Sequence, residues 1–269
     1  MKNFVFVSLG GACRTATQIK KNCPGSKSFP FDWTVTPFIS LERVFSADFD
    51  PNKVLSRENV EIKKNGGIKC SYSQIDFHHD LNPKDCVKWF HSSIASSSHT
   101  MPPEFYDSKE LEQAKERFQY TFRRLDSLKN HKGTLIFIRW LGYGRDNSPH
   151  QRNFPHAGLP DGYFDNENFF KVYNLLKKKY PSVDIKLYEI FSRYTNQPSA
   201  DRILDFLSFN EMGGIYSLKE EIPKSFSGDD ESWRQLFEYI LQELATRNVP
   251  IDSKKKLNID FLKKLKLVK

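Results

Sequence analysis

A five-residue apolar run, Phe4-Val-Phe-Val-Ser8, stops at Leu9-Gly10-Gly11 and gives way to Ala12-Cys13-Arg14. Aromatic and β-branched residues at consecutive positions fit a strand buried on both faces, the habit of parallel sheets. A glycine pair ends such a strand because it turns the backbone where other residues cannot. Beyond it, Ala12, Ala16 and Ile19 recur at helical spacing over residues 12–21, until Pro24-Gly25 stops the pattern. Strand, glycine turn and helix open a βαβ unit, which points to an α/β fold.

The rest of the chain keeps that rhythm. A helical pattern covers residues 37–45, and a longer one covers 108–128, where Leu111, Ala114, Phe118, Phe122 and Leu125 repeat every three or four positions. Gly133-Thr-Leu-Ile-Phe-Ile-Arg-Trp140 is the clearest strand. A polar, Gly- and Pro-rich loop follows over 142–165, then a helix at 166–179 and a strand at 184–191. Helices are predicted at 233–246 and, more basic, at 260–267, and residues 92–98 read as a Ser-rich loop. Residues 59–80 look extended around a turn at Asn65-Gly66-Gly67. They predict a hairpin whose second arm delivers Phe77-His78-His79-Asp80. The reading is one α/β domain over 1–269, with a partly parallel central sheet flanked by helices and residues 59–100 as an inserted hairpin or cap. An α+β papain-like arrangement is the alternative.

Composition removes several classes. With 269 residues, 23 Phe, 11 Tyr and 4 Trp, the chain has ample surface to bury, unlike a disordered one. No stretch approaches the roughly 18 consecutive apolar residues of a membrane span. Four cysteines without a Cys-x-x-Cys pair exclude a disulfide scaffold and the standard zinc fingers. The net charge of 41 − 33 = +8 sits mainly in lysines at 177–179, 254–256 and 263–269, and no nucleic-acid motif accompanies it, so no nucleic-acid partner is expected. Gly11-Ala12-Cys13 mimics the end of a lipoprotein signal. The apolar run before it is too short for one, and a cytoplasmic protein with reduced thiols is the expectation.

Cys13 is the most suggestive residue. At the first turn of a helix, exposed N–H groups and the helix dipole favour the thiolate, the nucleophilic form, and Arg14 adds positive potential. Gly10 and Gly11 let the backbone approach a substrate and offer N–H groups to an oxyanion. A buried packing cysteine is the competing reading. His78, His79 and Asp80 supply a candidate base and its orienter. Neighbours on a strand point to opposite faces, so one of the two histidines faces Cys13.

Asp32, between Phe31 and Trp33, needs a partner such as Arg14 or a histidine; it is either a third catalytic member or the cap of a helix near Thr34. Arg139 and Trp140 end the central strand where open parallel sheets place ligands, and His150, Arg152 and His156 lie in the next loop. Cys70, His78, His79, Cys86 and His91 match no recognised zinc spacing, so neither metal nor cofactor is expected. No phosphate-binding loop, dinucleotide fingerprint, Gly-x-Ser-x-Gly or His-Glu-x-x-His occurs.

Two motifs together, Val7-Ser-Leu-Gly-Gly-Ala-Cys13 and Ser28-Phe-Pro-Phe-Asp-Trp33, resemble an uncharacterised family labelled papain-like cysteine peptidases. A His-Asp element after a hairpin, matching His79-Asp80, and an apolar strand ending in Arg139 extend the likeness over roughly 4–140. The resemblance implies a thiol hydrolase with Cys13 as nucleophile, His79 as base and Asp80 or Asp32 as orienter, passing through a thioester acyl-enzyme. Gly11, Arg14, Asp32, Trp33 and Arg139 are the expected substrate-binding residues, and the substrate is a peptide, an acyl ester or a glycan-linked group. The alternatives are a cysteine esterase or acyltransferase in cell-surface glycan processing, and a non-catalytic binding domain.

Overall fold

The computed structural model describes residues 3–62, 67–77, 80–81, 103–143, 166–195, 203–221 and 228–246. Along them run β1 (Phe4–Ser8), α1 (Cys13–Asn22), α2 (Phe38–Val44), β2 (Val60–Ile62), β3 (Ile68–Cys70), α3 (Pro103–Tyr106) and α4 (Lys109–Ser127). They continue with β4 (Thr134–Tyr143), α5 (Asn166–Lys179), β5 (Asp184–Thr195), β6 (Ile203–Ser208), β7 (Gly213–Glu221) and α6 (Asp230–Thr246).

One sheet has the order β1-β4-β5-β7-β6. Its first four strands are parallel, with Val7 beside Phe137 and Phe137 beside Leu187, and β6 runs antiparallel to β7. Side chains alternate between two apolar layers. Val7, Leu135, Phe137 and Leu187 join a core with Leu41 of α2, Phe118 of α4 and Val172 of α5. Phe6, Ile136, Ile138 and Ile190 join the other, with Ile19 of α1 and Trp233, Phe237 and Ile240 of α6. Burial on both faces is why these strands read as continuous apolar runs. The architecture is the expected α/β one, with helices in the β1–β4 and β4–β5 crossovers, and not the α+β alternative.

Helix α4 matches its periodicity: Leu111, Ala114, Phe118, Phe122 and Leu125 are all buried, and the Ser108 hydroxyl accepts the Leu111 N–H at 3.3 Å as a cap. Several bounds move. Strand β4 continues past Trp140 to Tyr143 through a register shift, β5 runs four residues beyond 191, and α6 starts three residues before Trp233. Strands β6 and β7 have no counterpart in the sequence reading. The glycine pair opening β7 and its Lys219-Glu220-Glu221 end look like a turn and a solvated stretch, yet Glu220 is fully buried.

The hairpin exists as β2 against β3, but β3 does not deliver the His-Asp element. The chain turns once more at 71–74, with Gln74 at φ +60°, and a third arm pairs Asp76 with both Val35 and Lys69. The loop and helix expected at 92–98 and 260–267 lie outside the described residues. Among those described, no helix is long and apolar enough to cross a membrane.

Candidate functional site

Strand β1 ends against β4. The Leu9 N–H donates to the Ile138 carbonyl at 2.8 Å, and the Gly10 carbonyl accepts from the Trp140 N–H at 3.4 Å and the Thr15 hydroxyl at 3.2 Å. Gly10 and Gly11 both have positive φ, +78° and +86°. A Cβ on Gly11 would stand 1.9 Å from the Trp140 carbonyl oxygen, and one on Gly10 would stand 2.5 Å from Thr36 Oγ1. Only glycine permits this turn, and the turn places Cys13 as the first residue of α1.

Among the described residues no side chain caps α1, whose N-cap is Ala12. The backbone N–H groups of Cys13 and Arg14 act to lower the thiol, as a helix start leads one to expect. Their effect on ionisation is not the expected one. Burial pushes the half-buried thiol up to about 11, and the Arg14 charge and the two N–H groups offset only part of this. The resting thiol is neutral.

Arg14 is wholly buried. Its Nη1 donates to Glu220 Oε2 at 2.6 Å, and its guanidinium lies 4.5 Å from the centre of the Trp140 ring. Trp233 Nε1 donates to the other Glu220 oxygen at 2.6 Å, and Trp140 Nε1 donates to Ser192 Oγ at 2.9 Å. The helix that begins with Cys13 is thereby tied to β4, β5, β7 and α6. Glu220, Ser192 and Trp233 were not legible as parts of this site, because no local pattern marks a charge pair 206 residues apart.

Segment 28–33 lies against the other end of α1. Phe29 and Phe31 are buried, and the Phe31 ring packs 5.9 Å from that of Phe45. Asp32 is buried, but its cation is neither Arg14 nor a histidine among the described residues: it is Lys20, at 3.7 Å. Nor does Asp32 cap a helix, since α2 starts at Phe38 with Pro37 as its cap. Desolvation raises its carboxyl to about 6. The Lys20 charge, 3.7 Å away on a side chain a third exposed, pulls the other way but offsets only part of this. The same ammonium sits 4.4 Å over the Trp33 ring and donates to Ser28 Oγ at 2.9 Å.

The third hairpin arm meets this segment, since Val35 and Asp76 exchange backbone hydrogen bonds at 3.0 and 3.1 Å. Phe77 and Asp80 flank His78 and His79, which lie outside the described residues. Asp80 forms an ion pair with Arg117 of α4 and lines a cleft that Trp33 also lines. The structure therefore brings together Asp80 and Trp33, and it joins Gly10 to Thr36 and the Phe31 carbonyl, 3.3 Å from a Cβ on that glycine.

Arg139 is buried on the opposite face of the sheet from Arg14 and donates to Glu189 at 3.2 Å. Its Nε and Nη2 have no hydrogen-bond partner among the described residues. Cys70, the one described member of the metal-type set, is buried and accepts two backbone N–H groups at 3.5 Å, from Leu55 and Ser73. His150, Arg152 and His156 lie outside the described residues. Arg117, Tyr120 and Arg124 were missed in sequence. Their signal was available: an exposed aromatic between two arginines on one face of α4.

The fold and this junction define an α/β protein with a cysteine at the seam between its first parallel strand and first helix. The chain belongs to the DUF1796 family, described as putative papain-like cysteine peptidase, whose model matches residues 4–151. That match ends before β5, so Ser192, Glu220 and Trp233 all lie beyond it. No curated protein and no solved structure matches the chain.

Proposed function

We propose that the chain is a cysteine-dependent hydrolase in which Cys13 attacks an acyl carbonyl. The observation that carries this reading is the position of Cys13: first residue of α1, separated from the Gly10-Gly11 turn by Ala12 alone, on a helix start with no side-chain cap among the described residues. Family membership supports the same chemistry.

Because burial holds the thiol neutral, attack requires a base. His79, or His78, takes the S–H proton as sulfur forms its bond to the carbonyl carbon. Backbone N–H groups of residues 11–13 receive the oxyanion, and Arg14 adds positive potential behind them. The carbonyl's leaving group departs with the proton held on the imidazole, and water then cleaves the thioester. Asp80 or Asp32 orients the imidazole, and Trp33 contributes to substrate binding; Arg139, buried against Glu189 on the other face of the sheet, takes no part in this reading.

The test is intact-protein mass spectrometry after brief incubation with a p-nitrophenyl ester and with acyl peptides. A thioester adduct mapped to Cys13, absent in Cys13→Ala and strongly slowed in His79→Ala or His78→Ala, is the expected result. Ester hydrolysis that survives Cys13→Ala unchanged, or the absence of any adduct, overturns it and favours a binding domain.

A further inference from the structure

Between segment 28–33 and helix α4 lies a cleft of about 320 Å³, within the size range of small-ligand sites. We infer that it binds a small anionic sugar, a hexose bearing a carboxylate or a phosphate. The inference goes beyond the hydrolase reading: it shares Trp33 and Asp80 with that site, but its cations and Tyr120 come from α4, which the hydrolase reading does not use.

The charge comes from α4. Arg117, Tyr120 and Arg124 are spaced three and four residues apart and share a face. Arg117 gives one N–H to Asp80, and its guanidinium is half exposed. Arg124 donates to the Ser28 carbonyl and to the Tyr120 hydroxyl, both at 2.7 Å, and has no carboxylate partner among the described residues. Two cations, Arg117 and Arg124, thus line the cleft beside one carboxylate, Asp80, and Lys20 sits over the Trp33 ring. Guanidinium groups held in this way suit planar or tetrahedral oxyanions.

The ring comes from the walls. Tyr120, 57% exposed, has its ring centre 4.7 Å from the Arg124 guanidinium, and the Lys20 ammonium lies over the Trp33 ring. Rigid aromatic faces cover the C–H face of a pyranose while leaving its hydroxyls to polar neighbours such as Asp80 and Arg117. A peptide fits less well. Binding a peptide by adding it as a strand needs an open strand edge. Here one wall is a helix whose backbone groups are used internally, and on the other the Ser28 carbonyl is already taken by Arg124.

The experiment is calorimetric titration of the full chain with glucuronate and with glucose 6-phosphate, against glucose, inorganic phosphate and a capped Asp-Glu peptide. Saturable one-site binding of either charged sugar is expected, and which one binds identifies the anion. Glucose and phosphate should bind at least about tenfold more weakly, and Arg124→Gln should weaken the sugar by about tenfold. Tyr120→Ala, at an exposed position, should weaken it comparably with no change in melting temperature.

Phosphate binding as tightly as the sugar, preference for the peptide, indifference to both variants, or no binding by either sugar each overturns the inference. Cys13→Ser protein should bind unchanged, so failure here and failure of the hydrolase reading are read separately.

Discussion

Arg14 Nη1 lies 2.6 Å from Glu220 Oε2, and neither side chain exposes any surface. The pair is thus a charged contact inside the layer between the sheet and α1–α6, with Trp233 donating to the second carboxylate oxygen and Trp140 stacked on the guanidinium. An ion pair so placed contributes little to net stability compared with an apolar replacement, but breaking it strands a charge.

Glu220→Leu alone should therefore lose about 3–5 kcal/mol, because Arg14 stays buried without its counter-ion. Arg14→Met with Glu220→Leu should recover most of that loss. Urea denaturation of the two single variants and the double variant checks this as a cycle. Losses that simply add would mean that the two residues are not coupled, and that α1 is not anchored through this contact.

The Gly10-Gly11 turn predicts a matched comparison. A Cβ on Gly11 meets the Trp140 carbonyl oxygen at 1.9 Å, whereas one on Gly25, at nearly the same φ of +87°, meets nothing within 4 Å among the described residues. Gly25→Ala should cost about 1–2 kcal/mol, the left-handed backbone penalty alone. Gly11→Ala carries that penalty and a backbone collision, and should cost several times more or prevent folding. Equal melting temperatures for the two variants would contradict the close approach at the strand end.

Thiol titration follows from burial. With Cys13 raised to about 11 and Cys23 to about 12, both are neutral at pH 7. Iodoacetamide labelling of Cys13, followed peptide by peptide, should climb about tenfold per pH unit from 7 to 10 without levelling, and Cys13 should label ahead of Cys23. Arg14→Gln should slow it further by removing the charge that lowers the thiol. A plateau near neutrality would show a preformed thiolate and would remove the need for a base during attack.

The parts of this arrangement visible in the sequence are those with local signatures. The apolar run before Gly10-Gly11, the spacing of Ala12, Ala16 and Ile19, and the stripe from Leu111 to Leu125 each encode their burial within a few residues. What was hidden depends on distant pairing. Strand β7 was missed because Glu220 looks solvated until Arg14, from the other end of the chain, is placed beside it. The cation beside Asp32 is hidden for the same reason: Lys20 reaches it from two turns along α1, not from the helix start where Arg14 lies. Arg117 and Arg124 read as an ordinary charged helix face until segment 28–33 lies opposite them.

Asp32 carries the last prediction. Its carboxyl rises from an ordinary 3.8 to about 6 because burial outweighs the loosely placed Lys20. The folded state then holds this proton more tightly than the unfolded chain does. The associated stability is present in full below pH 4 and drains away as pH rises through 6. The loss amounts to about 3 kcal/mol from the two-unit shift. Asp32→Asn is neutral at every pH and does not share that slope. The difference in unfolding free energy between wild type and Asp32→Asn, measured in urea at pH 4, 5, 6 and 7, should move by about this amount in the variant's favour and then level off. A difference that stays constant across the range would show that the Asp32 carboxylate is already ionised at pH 4, with Lys20 outweighing its burial.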